Sequence, residues 1–463
     1  LLKMPSAEVR RLAASAIGKL AGFGADAHAA VQALAPVALH DPHPQAQQYA
    51  LKGLKAYGAA ARQCRRDLED LASNQKVKDA SPRSGHGMSL MLVFCPYCKL
   101  MIQNLTRREF IRTTGAAVLA AASLVPAHGQ TTKITVALVG GAHIHTPGFV
   151  SLVKERPDVR VKAVWDHDAS RAEKLAKELN SAAVKDLSAI WSDPEIAAVV
   201  IYSETNRHPE LVGAAAKAGK HMFAEKPLGI TAKESLAMAD AIEKAHLLFT
   251  TGYFMRTDPK HLFLKSEISQ GHFGKITRVR GSNCHSGSLG GWFDGEYRWM
   301  ADPKIAGVGA FGDLGTHKLD ILMWLLGDVE AVTADVRSVT GRYGDCDECG
   351  EGLLQFKEGY IGTLAAGWVD VEDPVQLLIS GTEGHAIIQD NHLYYRSKYV
   401  PSADSKEPYT KLPPASRPPM HQFLDAVGGA KDQPLVTPRE AAQRVVVMEG
   451  MYKAARTRTW VTV

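Results

Sequence analysis

At 463 residues the chain is longer than one compact core can organise, which implies two or three domains. Hydrophobic residues make up 45% and charged residues 22%, an ordinary globular composition; six cysteines are too few for a disulfide scaffold, and no run reaches the roughly 18–20 apolar residues of a membrane span. The formal charge of +5 is unevenly placed: residues 1–130 hold 16 Lys/Arg against 8 Asp/Glu and the remainder 38 against 41, so the larger part lacks the basic stripe that nucleic-acid binding requires.

Residues 1–73 read as all-helical and quasi-repetitive. Pro5, Val9, Ala13, Ile17 and Leu20 recur as Pro42, Ala46, Ala50, Leu54 and Tyr57, a constant offset of 37. That offset is near the period of helical-pair solenoids and makes the segment HEAT-like. Two repeats are fewer than a stable stack needs, so a helical fragment with no present role stands beside a docking module as a reading. Residues 74–104 form a linker, Ser/Lys/Gly-rich at first, then apolar up to Cys95-Pro96-Tyr97-Cys98. A CxxC pair serves as a metal half-site or a redox couple, but neither further ligands nor a βαβ setting lies nearby. No metal site is expected in the chain.

Residues 105–129 carry paired arginines, Arg107-Arg108, ahead of a weakly apolar, Ala-rich stretch from Gly115 to Val125 and the small residues of Ala127-His128-Gly129. Together these have the form of a twin-arginine export signal. Met101 lies six residues before Arg107 and suits a start. From there the expected location is periplasmic or secreted; otherwise it is cytoplasmic, with residues 1–100 either foreign to the exported protein or masking an inactive signal.

From Lys133 the pattern alternates. Ile134–Val139, Val161–Trp165, Ala197–Tyr202 and His221–Ala224 read as strands, separated by helical periods at Ala169–Leu179, His208–Ala218 and Ala232–Lys244. Such alternation predicts a parallel, doubly wound sheet, an α/β dinucleotide-binding domain over 130–255. Beyond Met255 strands dominate: Lys275–Ser282, Ala331–Ser338, Leu353–Phe356, Gly362–Val369 and Gln376–Ser380. They predict an α+β domain over 256–463 with a large, mostly antiparallel open sheet.

Gly140-Gly141-Ala142-His143-Ile144-His145 follows the first strand, where a dinucleotide fold places its phosphate turn. Only the first of the usual three glycines is kept; Ala142 and His145 stand at the other two positions. Asp166 ends the second strand, where a carboxylate would bind a ribose 2′-hydroxyl and repel a 2′-phosphate, favouring NAD over NADP. Capping of the helix near Ala169 is the competing role for Asp166.

Further motifs follow in order: Ser203-Glu204-Thr205-Asn206-Arg207-His208, Ala218-Gly219-Lys220-His221, Glu225-Lys226-Pro227-Leu228, Gly312-Asp313-Leu314-Gly315-Thr316-His317 with Asp320, and Gly381-Thr382-Glu383-Gly384. In order and spacing they resemble the Gfo/Idh/MocA oxidoreductases, typified by glucose–fructose oxidoreductase and inositol dehydrogenase, over nearly all of 133–463. The resemblance implies a Rossmann domain and a second domain whose open sheet face covers a nicotinamide. It also implies a catalytic trio at Lys226, Asp313 and His317, and cofactor contacts from Gly140, Gly141, Ala142, His143, His145, Asp166, Asn206, His208, Glu225 and Lys226.

The chemistry suits those side chains. Oxidising an alcohol needs a base for the hydroxyl proton, and histidine titrates in the useful range, which fits His317. Asp313, one helical turn earlier, would share its face and bind substrate or orient the imidazole. Lys226 would donate to the reacting oxygen, with Glu225 and Pro227 holding its strand end. Asp320 reads as a structural carboxylate.

His285, Trp292, Tyr297 and Arg298 lie between the second domain's first long strand and the Asp313 helix. They suit a sugar ring or a dimer contact. Cys346-Asp347-Glu348-Cys349 leaves open a local disulfide, free thiols or half a metal site.

The expected activity is NAD(P)-dependent oxidation of a sugar, polyol or glycoside hydroxyl, with the nucleotide held tightly and homo-oligomers forming through the C-terminal sheet. The alternatives are a redox-assisted glycosidase that ends with its NAD unchanged, and a non-enzymatic sugar-binding sensor or scaffold.

Overall fold

The computed structural model describes residues 7–20, 27–40 and 134–463, with a few positions near 2 and between 46 and 57. The CxxC of the linker and the twin-arginine segment at 105–129 lie outside the described residues. Leu1–Thr131 and Thr132–Val463 are separate compact units.

In the first unit, α1 (Ala7–Leu20) and α2 (Ala27–His40) bury Ala14, Val31, Leu34 and Val37 together with Ala46, Ala50 and Tyr57. Gly18 and Gly53 meet so closely that a Cβ on Gly18 would sit 2.7 Å from the Gly53 Cα.

The second unit opens with a six-stranded, wholly parallel sheet, ordered β3-β2-β1-β4-β5-β6. Its strands are β1 (Ile134–Val139), β2 (Val159–Trp165), β3 (Ala182–Ala183), β4 (Ala198–Ile201), β5 (His221–Ala224) and β6 (Phe249–Thr250). β1 and β4 are near-continuous apolar runs because helices cover both faces of the sheet. Four of these helices are α3 (Thr146–Glu155), α4 (Ala169–Leu179), α5 (His208–Lys217) and α6 (Ala232–Lys244).

Their ends follow local chemistry. Asp168 caps α4 by accepting from the Ser170 and Arg171 amides, and Asn180 closes it in the left-handed region. The capping role that competed for Asp166 therefore belongs to Asp168. Thr231 and Glu234 form a capping box on α6.

The second sheet has eight strands in the order β13-β12-β11-β7-β10-β9-β8-β14. They are β7 (Ile276–Cys284), β8 (Val329–Arg337), β9 (Cys349–Phe356), β10 (Ile361–Gly367), β11 (Val375–Gly381), β12 (Gly384–Gln389), β13 (His392–Ser397) and β14 (Val461–Thr462). Only the β7–β10 pair is parallel. One face is covered by α7 (Pro259–Ser269) and by α8 (Ala310–Leu326), a helix apolar nearly all round and buried accordingly.

The sequence boundary at 255 does not hold for the last helices. α9 (Pro419–Val427) returns to the first sheet, burying Met420, Phe423 and Leu424 with β1 and β2. α10 (Pro438–Thr457) places Ala441, Ala442 and Val445 in the core of the first sheet and Val447, Met448 and Met451 in that of the second. No helix among the described residues is long and apolar enough to cross a membrane.

Candidate active site

The strand order reverses direction between β1 and β4, and the crevice beyond their carboxyl ends is where such sheets take ligands. Four strands deliver residues there: Gly140–His145 after β1, Asp166 after β2, Tyr202–Glu204 after β4, and Glu225-Lys226 after β5.

The turn after β1 is built on close approach. Gly140 has φ +83, and a Cβ there would lie 2.6 Å from Ser203. A Cβ on Gly141 would lie 2.1 Å from a Leu175 methyl, so this glycine lets α4 pack against the turn. The Gly141 amide donates to Asp166 Oδ2 at 2.8 Å, and the His143 amide to the Tyr202 carbonyl at 3.0 Å. Among the described residues the Ala142 and Ile144 amides find no protein acceptor. Two N–H donors at the head of α3 thus remain for an anion, and the turn fits a pyrophosphate despite its missing glycines.

Asp166 is fully engaged. Its carboxylate accepts from the Gly141 and Asp168 amides and, bidentately, from Arg171 Nε at 2.7 Å and Nη2 at 2.8 Å. Arg171 also reaches Glu204 Oε1 at 3.1 Å. The carboxylate expected to face a ribose is therefore paired with a cation, and its repulsion of a 2′-phosphate is correspondingly reduced.

Glu225 is buried between two imidazoles, with Oε1 2.9 Å from His145 Nδ1 and 3.9 Å from His143 Nδ1. Burial alone would raise its pKa; both histidines and Lys226 outweigh that and hold it well below the usual carboxylate range. Burial pushes His143 down to about 3, against the pull of Glu225.

Lys226 Nζ donates to Asp313 Oδ1 at 2.5 Å, and Trp368 Nε1 to Asp313 Oδ2 at 3.1 Å. Burial favours the neutral Asp313 acid, but the Lys226 charge and hydrogen bond prevail and bring it to about 2. His317, one turn on, is buried beside Tyr253 and Phe254, with ring centroids 6.0 and 5.0 Å away. Desolvation and then the Lys226 charge carry its pKa well below the ordinary histidine value, so it is neutral at pH 7. Among the described residues its Nδ1 has no hydrogen-bond partner, and the Asp313 carboxylate spends its bonds on Lys226 and Trp368 rather than on orienting this ring.

The remaining expected residues are dispersed. Asn206 is exposed in a single 3₁₀ turn. His208 begins α5 and bonds the Leu228 carbonyl through Nδ1 at 3.0 Å, tying that helix to the segment after Lys226. His285 packs on Trp292 at 4.9 Å, Tyr297 is half-buried, and the exposed Arg298 lies over the Tyr343 ring.

Trp299, adjacent to Arg298, is the aromatic residue that reaches the turn: its Nε1 donates to the Ala142 carbonyl at 3.1 Å. With Thr205 and Met300 it lines a small cavity shared with His143, Lys226 and Asp313. Sequence reasoning missed Trp299, Arg171 and Trp368. The first two had a signal, an aromatic-rich loop and an arginine five residues after Asp166; Trp368 had none. Cys346 and Cys349 are free thiols.

These shifts predict acid sensitivity. His143 and His317 are neutral when folded but protonate near 6.5 when unfolded, so the unfolded chain binds more protons below that pH. Glu225 and Asp313, depressed when folded, add a loss of the same sign below the ordinary carboxylate pKa. The denaturation midpoint should fall steadily once pH drops below about 6.5. A midpoint unchanged between pH 7 and pH 4.5 in urea titrations would contradict the buried, neutral histidines.

Comparison with known proteins agrees with this architecture. Residues 134–253 match the family described as "Oxidoreductase family, NAD-binding Rossmann fold", and residues 261–387 match the "GFO/IDH/MocA C-terminal domain". The chain is 34% identical to levoglucosan dehydrogenase of Pseudarthrobacter phenanthrenivorans over 199 residues, 43% of this chain and 50% of that protein. It is 29% identical to scyllo-inositol 2-dehydrogenase (NAD(+)) of Bacillus subtilis over 251 residues, 51% of this chain and 68% of that protein. The chain thus spans about half the length of the first relative and two thirds of the second. A solved levoglucosan dehydrogenase in complex with NADH and levoglucosan shares the fold, with a TM-score of 0.60 at 24% identity, covering 71% of this chain and 99% of that one. With both domains matched in order along residues 134–387, the chain belongs to the Gfo/Idh/MocA family of oxidoreductases.

Proposed function

We propose that this protein is an NAD(P)-dependent dehydrogenase of a cyclic sugar or polyol hydroxyl, the class named by its levoglucosan and inositol relatives. One observation carries the reading: Lys226 at the end of β5 is paired with Asp313 on α8, one turn from a buried, neutral His317, beside a turn with two unspent amides.

The dinucleotide, when bound, supplies hydride acceptance and return. The chain's own groups handle the proton and the oxygen. Neutral His317 can take the hydroxyl proton without first losing one of its own. The Lys226 ammonium donates to the oxygen as charge grows on it, and Asp313 holds that ammonium in place. Trp299 and Phe254 wall the site with apolar surface. Self-association through the open face of the eight-stranded sheet belongs to the same reading. Leu353 and Ile361 on that face are 39% and 56% exposed, and a monomer in light scattering would remove this part.

The test is reduction of added NAD or NADP by a panel of anhydrosugars, inositols and pyranoses. Reduction with at least one of them is the expected result. Substrate conversion without net nicotinamide change would point to a redox-neutral cycle, and no conversion with any of them would overturn the reading.

Cofactor choice gives a separate prediction. Asp166→Asn removes the bidentate carboxylate on Arg171 and leaves the guanidinium only Glu204, at 3.1 Å, so it is more available to a 2′-phosphate. At roughly 1.5–3 kcal/mol for a charge-assisted bond, affinity should shift toward NADP by about 10–100-fold relative to NAD. Equal weakening of both, measured by fluorescence titration, would leave Asp166 only its role of anchoring the Gly141 turn.

A further inference from the structure

His143, His145 and Glu225 offer a second kind of chemistry. One ligand atom from each falls within 4.8 Å of the others. The separations from Glu225 Oε1, 2.9 and 3.9 Å, bracket the spacing of roughly 3–3.5 Å expected for donors each about 2.1 Å from one ion.

The surroundings hold these groups in ligating positions. Glu225 Oε2 accepts the Lys226 amide at 3.2 Å and lies so close to Gly252 that a Cβ there would be 2.6 Å away. That leaves Oε1 turned toward both imidazoles. The His143 backbone is pinned to the Tyr202 carbonyl, while among the described residues its ring makes a single long hydrogen bond, 3.3 Å from the His145 amide to Nδ1. The ring is buried and has little to lose by exchanging that bond for a metal. A fixed carboxylate and a backbone-anchored histidine are what outer contacts supply at built metal sites.

There is also a way in. A cavity of about 340 Å³, lined by His145, Glu225, Phe149, Tyr202 and Phe254, opens onto the cluster. A cation held by three side chains would keep its remaining positions toward that cavity.

We infer that His143, His145 and Glu225 form a binding site for a first-row divalent transition ion, with two imidazoles and one carboxylate as ligands and an open side facing the cavity. Two nitrogens and one oxygen select zinc, iron, cobalt or manganese over magnesium and calcium, which prefer all-oxygen shells. The site does not depend on the nucleotide reading, because its ligands converge without any other group.

The experiment titrates the nucleotide-free full chain with Co²⁺ and follows its visible absorption. One equivalent should bind and give the bands of a protein-bound cobalt ion, without the intense near-ultraviolet band of thiolate ligation. His145→Ala should weaken binding by at least about 100-fold, beyond the roughly 10–100-fold typical of losing a partner that only orients a ligand. His145→Ala also takes a partner from the buried Glu225 carboxylate, so the metal-free variant should be less stable than the parent, and both are titrated at a temperature where circular dichroism shows them folded. Glu225→Gln should show the same loss wherever it folds. Absence of the bands at stoichiometric Co²⁺, an unchanged spectrum in His145→Ala, or a thiolate signature placing the ion on cysteines would each overturn the site.

Discussion

Lys226→Met should lower turnover by about 10²–10⁴-fold, the range associated with a positioned proton-transfer or donor group. It should also destabilise the protein, and the two losses have different causes. The Lys226 side chain is 4% exposed and its partner Asp313 13%, so removing the ammonium strands a nearly buried carboxylate with only Trp368 to donate to it. Breaking such a pair costs about 3–5 kcal/mol. A double variant, Lys226→Met with Asp313→Asn, removes the stranded charge; it should recover most of the stability and none of the turnover. His317→Ala makes the complementary case. This ring is neutral and forms no ion pair among the described residues, so turnover should fall on the same scale without an electrostatic loss of stability. Urea titration and steady-state rates on the four proteins check the pattern. Near-normal turnover in Lys226→Met would remove the donor role, and a double variant as unstable as the single one would show that the charge pair was not the cause.

Asp320→Ala should cost about 3–5 kcal/mol of unfolding free energy. The carboxylate is fully buried and accepts from Arg256 Nε at 2.8 Å, Arg256 Nη2 at 2.6 Å and Arg444 Nε at 3.0 Å. Without it Arg444, itself almost buried, loses its close carboxylate and keeps only Glu440 at 3.9 Å. Asp320 lies three residues after His317, so the cluster also fixes how α8 presents Asp313 and His317 to Lys226. A loss below about 1 kcal/mol in denaturant titration would show that water or rearrangement replaces the cluster.

Legibility in the sequence followed how local each signal was. β1, β5, α4 and α6 match their sequence-read limits because periodicity and caps such as Thr231 with Glu234 are written within a few residues. The hairpin of β12 and β13 was not read, although it had a local signal: Asp390 and Asn391, with φ of +49 and +64, form the turn between two alternating runs. The destinations of α9 and α10 could not be read, since an apolar stripe does not say which sheet it meets. At the site, Lys226, Asp313 and His317 were named by motif, and the structure brings Lys226 to Asp313, 87 positions further along the chain. The saturation of Asp166 by Arg171 was missed because a charged residue on an amphipathic helix ordinarily faces water. The His143–His145–Glu225 cluster was missed because its third member is 80 positions away in the chain.

The position of α10 bears on how the molecule comes apart and how it moves. The successive turns of one rigid rod serve two hydrophobic interiors. Neither interior can melt without pulling out a segment of the other, so heating should give one calorimetric transition for residues 132–463 rather than one per sheet. The same rod opposes a wide hinge rotation of the two halves. On the proposed function, access for a substrate is therefore left to the segment between β7 and α8 that carries Trp292 and Trp299. Amide protons there should exchange with solvent long before those of α10, by openings that leave both interiors intact.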